Sequence, residues 1–105
     1  MTRRLDNYLR SHRKHRALSQ DDVARLVGAR CGSTVSRYES FARRPSLEMA
    51  VAFALVFDVP LRELFVGLHE QVEMRVRRRA RALLRSSART GSSPRATSHL
   101  QRLAA

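Results

Sequence analysis

The chain has 105 residues and a formal net charge of +12, with 21 Lys or Arg against nine Asp or Glu. This length fits one small domain with an appendage, and no apolar run approaches the ~18 residues that cross a bilayer. No charged leader followed by an apolar stretch opens the sequence, so we expect a cytosolic protein. The single cysteine, Cys31, excludes an internal disulfide framework and a zinc site built from several cysteines.

The positive charge is concentrated at the two ends of the chain. Residues 1–18 carry a net charge of +5, residues 19–66 carry none and residues 67–105 carry +7. Twenty of the cations are arginine, and Lys14 is the only lysine. Arginine suits bidentate contact with phosphate, although a biased genome composition is the simpler explanation of the preference over lysine. The positive field itself favours an anionic partner.

Helical spacing of apolar residues recurs through residues 4–66 and predicts five short helices. They are expected over residues 4–15, 20–28, about 32–40, 47–57 and 61–66, with Ser19 and Ser46 as N-caps and Gly28 as a helix end. The apolar positions assigned to their inner faces are Leu5, Tyr8, Leu9, Val23, Ala24, Leu26, Val27, Val35, Leu47, Ala50, Val51, Ala54, Leu55, Leu61 and Leu64. Four aromatic side chains are also expected in the core: Tyr38, Phe53, Phe57 and Phe65.

The composition changes beyond Gly67. Apolar residues at three- and four-residue steps over 68–84 predict one amphipathic helix with a cationic outer face, Arg75, Arg77, Arg78, Arg79 and Arg81. The apolar residues that would pair two copies of this helix are Leu68, Val72, Val76 and Leu83. From Ser86 onward Ser, Thr, Gly and Pro dominate, which predicts disorder. The expected organisation is a helical domain in 1–66, a basic helix in 67–85 and a disordered tail in 86–105.

Residues 18–40 read LSQDDVARLVGARCGSTVSRYES and have the pattern of a helix-turn-helix. Ala24 is small enough for two helices to cross closely, and Gly28 provides the backbone freedom needed after the first of them. Val35 would be buried beneath the second helix, with Tyr38 one turn later on the same side. The polar side chains left pointing outward are Ser33, Thr34, Ser36 and Arg37. Such a helix can enter a major groove and present hydrogen-bonding groups to base edges.

The stretch from Leu5 to Phe65 resembles the lambda repressor/Cro/XRE family of helix-turn-helix transcriptional regulators. The matching elements, in the family's order, are Leu18-Ser19-Gln20, Val23-Ala24, Val27-Gly28, Ser33 to Glu39, Arg44-Pro45-Ser46-Leu47 and Asp58 to Phe65. The resemblance implies an all-α, five-helix DNA-binding domain. It also implies that the third helix, over about 32–40, lies in the major groove of double-stranded DNA.

Roles for individual residues follow from the resemblance. Bases would be contacted by Ser33, Thr34 and Arg37, with Gly32 allowing close approach and Arg37 the best candidate for bidentate contact with guanine. The phosphate backbone would be contacted by Gln20, Ser36, Ser40, Arg43 and Arg44. Arg13 would form a structural ion pair with Glu39.

Two features depart from the family pattern. One more residue than usual separates Gly28 from Val35, so the turn is longer. The sequence therefore allows the third helix to begin at either of two adjacent residues. Ser40-Phe41 stands where the family usually has Asn-Gly, so we expect the sharp turn there to be made differently.

We therefore expect a sequence-specific transcriptional regulator that occupies DNA as a homodimer and associates with the nucleoid in the cytoplasm. Two alternatives remain open: an antitoxin-like or adaptor module with an acidic protein partner, and RNA binding through the arginine-rich C-terminal helix. Catalysis is the weakest reading, because the chain has no Ser/His/Asp or Cys/His arrangement and no phosphate-binding glycine loop. We expect no cofactor, metal, membrane or small-molecule ligand.

Overall fold

The computed structural model describes residues 5–90 and 93–105, and every regular element in these ranges is an α-helix. In chain order the helices are α1 (Leu9–His15), α2 (Gln20–Val27), α3 (Gly32–Glu39), α4 (Leu47–Phe57), α5 (Leu61–Leu64), α6 (Val66–Thr90) and α7 (Pro94–Ala104). The predicted all-α class is confirmed. The chain divides into two compact units between His69 and Glu70. None of the described helices combines the length and the apolar character that spanning a bilayer requires.

The core of the first unit receives buried side chains from each of the helices α1 to α5. They are Leu9, Val23, Ala24, Val35, Tyr38, Phe53, Phe57, Leu64 and Phe65. The rings of Phe53 and Phe57 lie nearly parallel with centroids 6.3 Å apart, and Tyr38 meets Phe53 edge-on at 5.8 Å. Burial of one such large side chain stabilises the fold by about 1.5–3 kcal/mol. The core positions predicted for the four aromatic residues are confirmed.

Helix ends in the first unit are set by local hydrogen bonds at the predicted caps. The hydroxyl of Ser19 accepts from the backbone N–H of Asp22 at 2.9 Å, and the Asp22 carboxylate accepts from the Ser19 N–H at 2.9 Å. These hydrogen bonds lower the pKa of Asp22. Helix α2 ends at Gly28, whose φ of +78° suits a residue without a Cβ. The N-cap at Ser46 is likewise confirmed, because its hydroxyl accepts from Met49 N–H at 3.1 Å.

Helix α1 begins at Leu9, so the prediction of a helix over residues 5–8 is wrong; Arg4, where that helix was to begin, lies outside the described residues. In place of a helix, hydrogen bonds from the buried side chain of Asn7 hold the backbone here. Its Oδ1 accepts from the Leu9 N–H at 3.1 Å, and its Nδ2 donates to the Tyr38 carbonyl at 3.0 Å. These bonds fix the entry to α1 from outside the helix, which apolar spacing does not reveal.

Several apolar residues assigned to the core lie on the surface. Leu47 and Leu55 of α4 are each 77% exposed, and Val51 and Leu26 are also exposed. The assignment was wrong for these residues because α4 is apolar on almost every side, so the spacing fits more than one face. The larger Phe53 and its neighbours on the same side take the core instead. Leu5 and Leu61 are also exposed.

The second unit pairs the remainder of α6 with α7. Arg77 donates from Nη1 to the Leu103 carbonyl at 3.1 Å, and Arg81 donates from Nε to the Ala104 carbonyl at 3.1 Å. These two cations therefore satisfy carbonyl groups at the C-terminal end of α7, where a helix favours positive charge. Ala80 is buried in this unit.

The prediction of a disordered tail is wrong over residues 94–104, where α7 forms, and α6 extends beyond its predicted bounds of 68–84 to Thr90. Helix α7 begins with Ser93 as its N-cap and Pro94 in its first turn, a pairing that starts helices readily. Gly91 and Ser92 also belong to the predicted tail and lie outside the described residues. The polar composition favoured disorder, although the segment contains a helix N-cap pattern and forms a short amphipathic helix.

Candidate nucleic-acid interface

Helices α2 and α3 form a helix-turn-helix with a closely packed crossing. The backbone N–H of Ala29 donates to the carbonyl of the buried Ala24 at 2.8 Å, which turns the chain out of α2. The N–H of Gly32 then donates to Oδ1 of Asp21 at 2.9 Å. The first residue of α3 is thereby tied to the first turn of α2.

Gly32 is the first residue of α3 and is buried against α2. A Cβ atom at this position would lie 2.5 Å from Asp21 Oδ1 and 3.1 Å from both Asp21 N and Gln20 Cβ. The glycine therefore permits close packing of two helices. The expectation that it serves close approach to DNA is wrong, because Gly32 is buried and the position where a Cβ atom would lie faces α2.

The substitution Gly32→Ala is expected to lower the free energy of unfolding by about 1 kcal/mol, because the added methyl group overpacks against the Asp21 backbone and displaces the carboxylate that accepts from the Gly32 N–H, which outweighs the gain of about 0.5–1 kcal/mol in helix propensity. Urea denaturation followed by circular dichroism measures this loss. The neighbouring exposed position supplies a matched control, since Ser33→Ala should change stability by no more than about 0.5 kcal/mol. A Gly32→Ala protein as stable as the parent would show that the crossing is loose.

One side of α3 is buried and the opposite side carries exposed polar groups. Gly32, Val35, Tyr38 and Glu39 are buried, whereas Ser33 and Arg37 are exposed and Thr34 and Ser36 flank them half-buried. Within the described residues, the Arg37 guanidinium has no hydrogen-bond or ion-pair partner. The four side chains predicted to point outward therefore form one polar face, with Arg37 as its single cation.

The Ser33 hydroxyl lies 2.8 Å from the Sγ atom of Cys31, the residue that precedes α3. The hydrogen bond from Ser33 lowers the pKa of the exposed Cys31 thiol, and the backbone N–H groups of Ser33 and Thr34 add to the effect. The start of the polar face is thus ordered by local hydrogen bonds.

Three helices are joined by an ion pair of low exposure. Arg13 of α1 donates from Nε to Glu39 Oε2 at 2.6 Å and from Nη2 to Oε1 at 3.2 Å, with side chains 12% and 5% exposed. The pair expected between these residues is therefore present. Arg13 Nη1 also donates to the Leu18 carbonyl at 3.0 Å, and Gln20 Nε2 donates to Glu39 Oε1 at 3.0 Å. The end of α3 is held against α1 and the start of α2.

A shallow polar depression surrounds this network. Its lining residues are Arg10, Arg13, Gln20, Ser36, Glu39 and Ser40. Three of the predicted phosphate-contacting residues, Gln20, Ser36 and Ser40, thus lie together. Arg43 and Arg44 instead line a second small cavity with Phe41 and Pro45, so the predicted phosphate set is divided between two places.

The turn after α3 is made by Phe41, whose φ of +67° lies in the left-handed region that glycine favours. The N–H groups of Ala42 and Arg43 both donate to the Arg37 carbonyl, at 3.0 and 3.3 Å. The expectation that Ser40-Phe41 would require another kind of turn is wrong, because the phenylalanine adopts the left-handed conformation itself. The turn places the Arg43 guanidinium 5.9 Å from the centre of the Tyr38 ring.

The family model described as helix-turn-helix matches residues 9–64, from the first residue of α1 to the last residue of α5. The chain belongs to the XRE/lambda repressor-type helix-turn-helix family. The resemblance seen in the sequence is therefore confirmed, and the helix-turn-helix domain is a DNA-binding domain. No curated protein and no solved structure is significantly similar to the chain.

One cation that lines the polar depression, Arg10, was not among the predicted contact residues. Arg10 is exposed, lies on α1 three residues before Arg13 and lines the polar depression with Gln20. The spacing to Arg13 places both arginines on one side of α1, and that spacing was the available signal. The family resemblance had drawn attention to Arg13 alone.

Proposed function

We propose that this protein is a sequence-specific transcriptional regulator that places α3 in the major groove of duplex DNA and acts by occupying its site. The observation that carries this proposal is the polar face of α3. Ser33 and Arg37 are exposed on it, while Val35 and Tyr38 anchor the opposite side in the core. An anchored helix with short polar groups and one free guanidinium fits the pattern of donors and acceptors on base edges.

Base recognition is assigned to Ser33, Thr34 and Arg37. Contacts to the phosphate backbone are assigned to Gln20, Ser36, Ser40, Arg43 and Arg44, and Arg10 is added to them. The phosphate contacts would supply salt-dependent affinity and fix the register, whereas the base contacts would supply selection. We therefore propose that the protein is bound to the nucleoid.

Selection from a random pool of duplex DNA at physiological salt tests the proposal. The expected result is one enriched motif of a few base pairs that contains guanine, repeated as two half-sites related by a two-fold axis. Half-sites about 10 base pairs apart would match two copies of α3 on one side of the duplex. A pool that stays random after selection, despite measurable binding, would contradict base recognition.

A single small domain reads few base pairs, so a dimer on a two-fold site is part of the proposal. The proposed contact is the apolar side of α6 formed by Val72, Val76 and Leu83, all of which are exposed. Their spacing of four and seven residues places them on one side of the helix. Leu68 was predicted to belong to this set, but it packs against the core of the first unit.

The substitution Val76→Glu is expected to weaken dimerisation by at least about a hundredfold, because each dimer would bury two unpaired carboxylates at the contact. Sedimentation velocity of the full chain over a concentration series measures the change. Leu55→Glu is the matched control, since Leu55 lies on the exposed apolar side of α4. A dimer that survives Val76→Glu but dissociates with Leu55→Glu would place the contact on α4 and overturn this assignment.

A further inference from the structure

We infer that α6 carries a second DNA-binding surface, which holds the phosphate backbone without reading sequence. The surface is the arginine row formed by Arg75, Arg78 and Arg85. It lies outside the residues that match the helix-turn-helix family, which end at 64. The inference rests on the DNA binding of the helix-turn-helix domain and is independent of base reading by α3.

The arginine row is defined by its helical register. Arg78 follows Arg75 by three residues and Arg85 follows after seven more, so the three side chains share one side of α6, with Ala82 between them. All three arginines are exposed. At 1.5 Å per residue the row is about 15 Å long. Duplex DNA carries one phosphate per ~1.7 Å of its axis, so this length offers each guanidinium several phosphates.

Two other arginines of α6 make contacts within the protein. Arg77 and Arg81 are bonded to carbonyl groups of α7, and Arg77 also pairs with Glu73 at 3.2 Å. The arginine row, in contrast, has no hydrogen-bond or ion-pair partner within the described part of the chain. Of the α6 arginines with described side chains, Arg77 and Arg81 therefore bond to α7, whereas the three of the row and Arg79 are exposed and have no partner there.

The chemistry of the arginine row points to phosphate. Like charges three or four residues apart destabilise a helix, so Arg75 and Arg78 repel each other until an anion lies over them. The guanidinium group donates two parallel hydrogen bonds to two oxygens of one phosphate. A single-atom anion such as chloride offers no such pair of acceptors. A regularly charged polyanion is thus the partner that this row fits.

Duplex DNA is favoured as that polyanion because the chain already holds it nearby. Arg75 follows His69, the last residue of the first unit, by six positions. Six residues span at most about 20 Å even when fully extended. The arginine row is therefore covalently held within this reach of the first unit, so DNA bound there is present at a high effective concentration near the row.

The test compares two full-length triple variants that lose the same charge. Arg75→Gln/Arg78→Gln/Arg85→Gln removes the arginine row, whereas Arg62→Gln/Arg95→Gln/Arg102→Gln removes three exposed cations from α5 and α7. Binding to a 30-base-pair duplex of random sequence is measured over a salt series. Removing the row should reduce the slope of log K against log salt by about 2–3, at about 0.9 per lost phosphate contact. The control variant should reduce it by less than about 1.

A lysine version of the arginine row should restore most of the slope, and circular dichroism of all variants should show unchanged helix content. Equal slopes in the row variant and the charge-matched control would overturn the inference. A loss confined to an RNA hairpin probe, with DNA binding intact, would also overturn it. The two proposals can fail separately. If the wild-type protein shows no sequence preference, but the row variant still has a smaller slope than the wild type, base reading by α3 is contradicted and the second surface is supported.

Discussion

The substitution Glu39→Ala is expected to lower the free energy of unfolding of the first unit by about 3–5 kcal/mol, because it leaves the Arg13 guanidinium largely buried without its carboxylate. It also removes the acceptor of the Gln20 side chain. At about 0.05–0.15 kcal/mol per residue, a unit of this size has a total stability of about 3–10 kcal/mol, so the loss takes a large part of it. Urea denaturation followed by circular dichroism measures the change.

The matched control is Glu48→Ala, which removes an exposed carboxylate from the first turn of α4. That change should cost less than about 1 kcal/mol, the size of a favourable charge at a helix N-terminus. If both substitutions had the same small effect, the ion pair would have no role in holding α3 in place. DNA binding by Glu39→Ala at low temperature should also fall, because the position of α3 depends on this pair.

The substitution Arg37→Ala is expected to remove about 1–3 kcal/mol of discrimination at one base pair of the preferred site, because the guanidinium is the one long donor on the polar face of α3. Affinity for random duplex should change much less. Competition binding between the selected site and each of its single-base variants measures the discrimination. Arg62→Ala removes an exposed cation from α5 and should leave the discrimination unchanged.

The substitution Arg37→Lys separates two roles for this residue. Lysine keeps the charge but cannot form the bidentate pair with guanine in the same geometry. If Arg37 reads a base, the lysine protein should lose most of the discrimination while keeping its salt dependence. If the lysine and alanine proteins both discriminate as the parent does, Arg37 binds phosphate and base reading must be assigned to Ser33 and Thr34.

Local signals in the sequence were sufficient to predict the helix-turn-helix and several helix ends. Ser19, Gly28 and Ser46 act within a few residues of their own positions, so their roles can be read from neighbouring letters. The pairing of Arg13 with Glu39 depends on the tertiary fold and came from the family resemblance. The burial of Asn7 depends on a contact with the Tyr38 carbonyl 31 residues away, which no local pattern contains.

Patterns with more than one physical solution gave the errors. Helix α4 is apolar on nearly every side, so spacing placed Leu47 and Leu55 in the core where the larger Phe53 lies. Gly32 has two possible uses, close approach to DNA or to a helix, and only the position of Asp21 distinguishes them. The α7 segment has the composition of a disordered tail, yet its packing on α6 is set by Arg77 and Arg81, far earlier in the chain.

Protection of a selected DNA site from dimethyl sulfate tests the central claim most directly, namely that the polar face of α3 lies against base edges in the major groove. The reagent methylates guanine N7 in the major groove and adenine N3 in the minor groove. The structure predicts that bound protein protects guanine N7 within each half-site, and that Arg37→Ala restores methylation at one of these guanines. Protection of adenine N3 alone, or full methylation of every guanine under saturating protein, would contradict the claim.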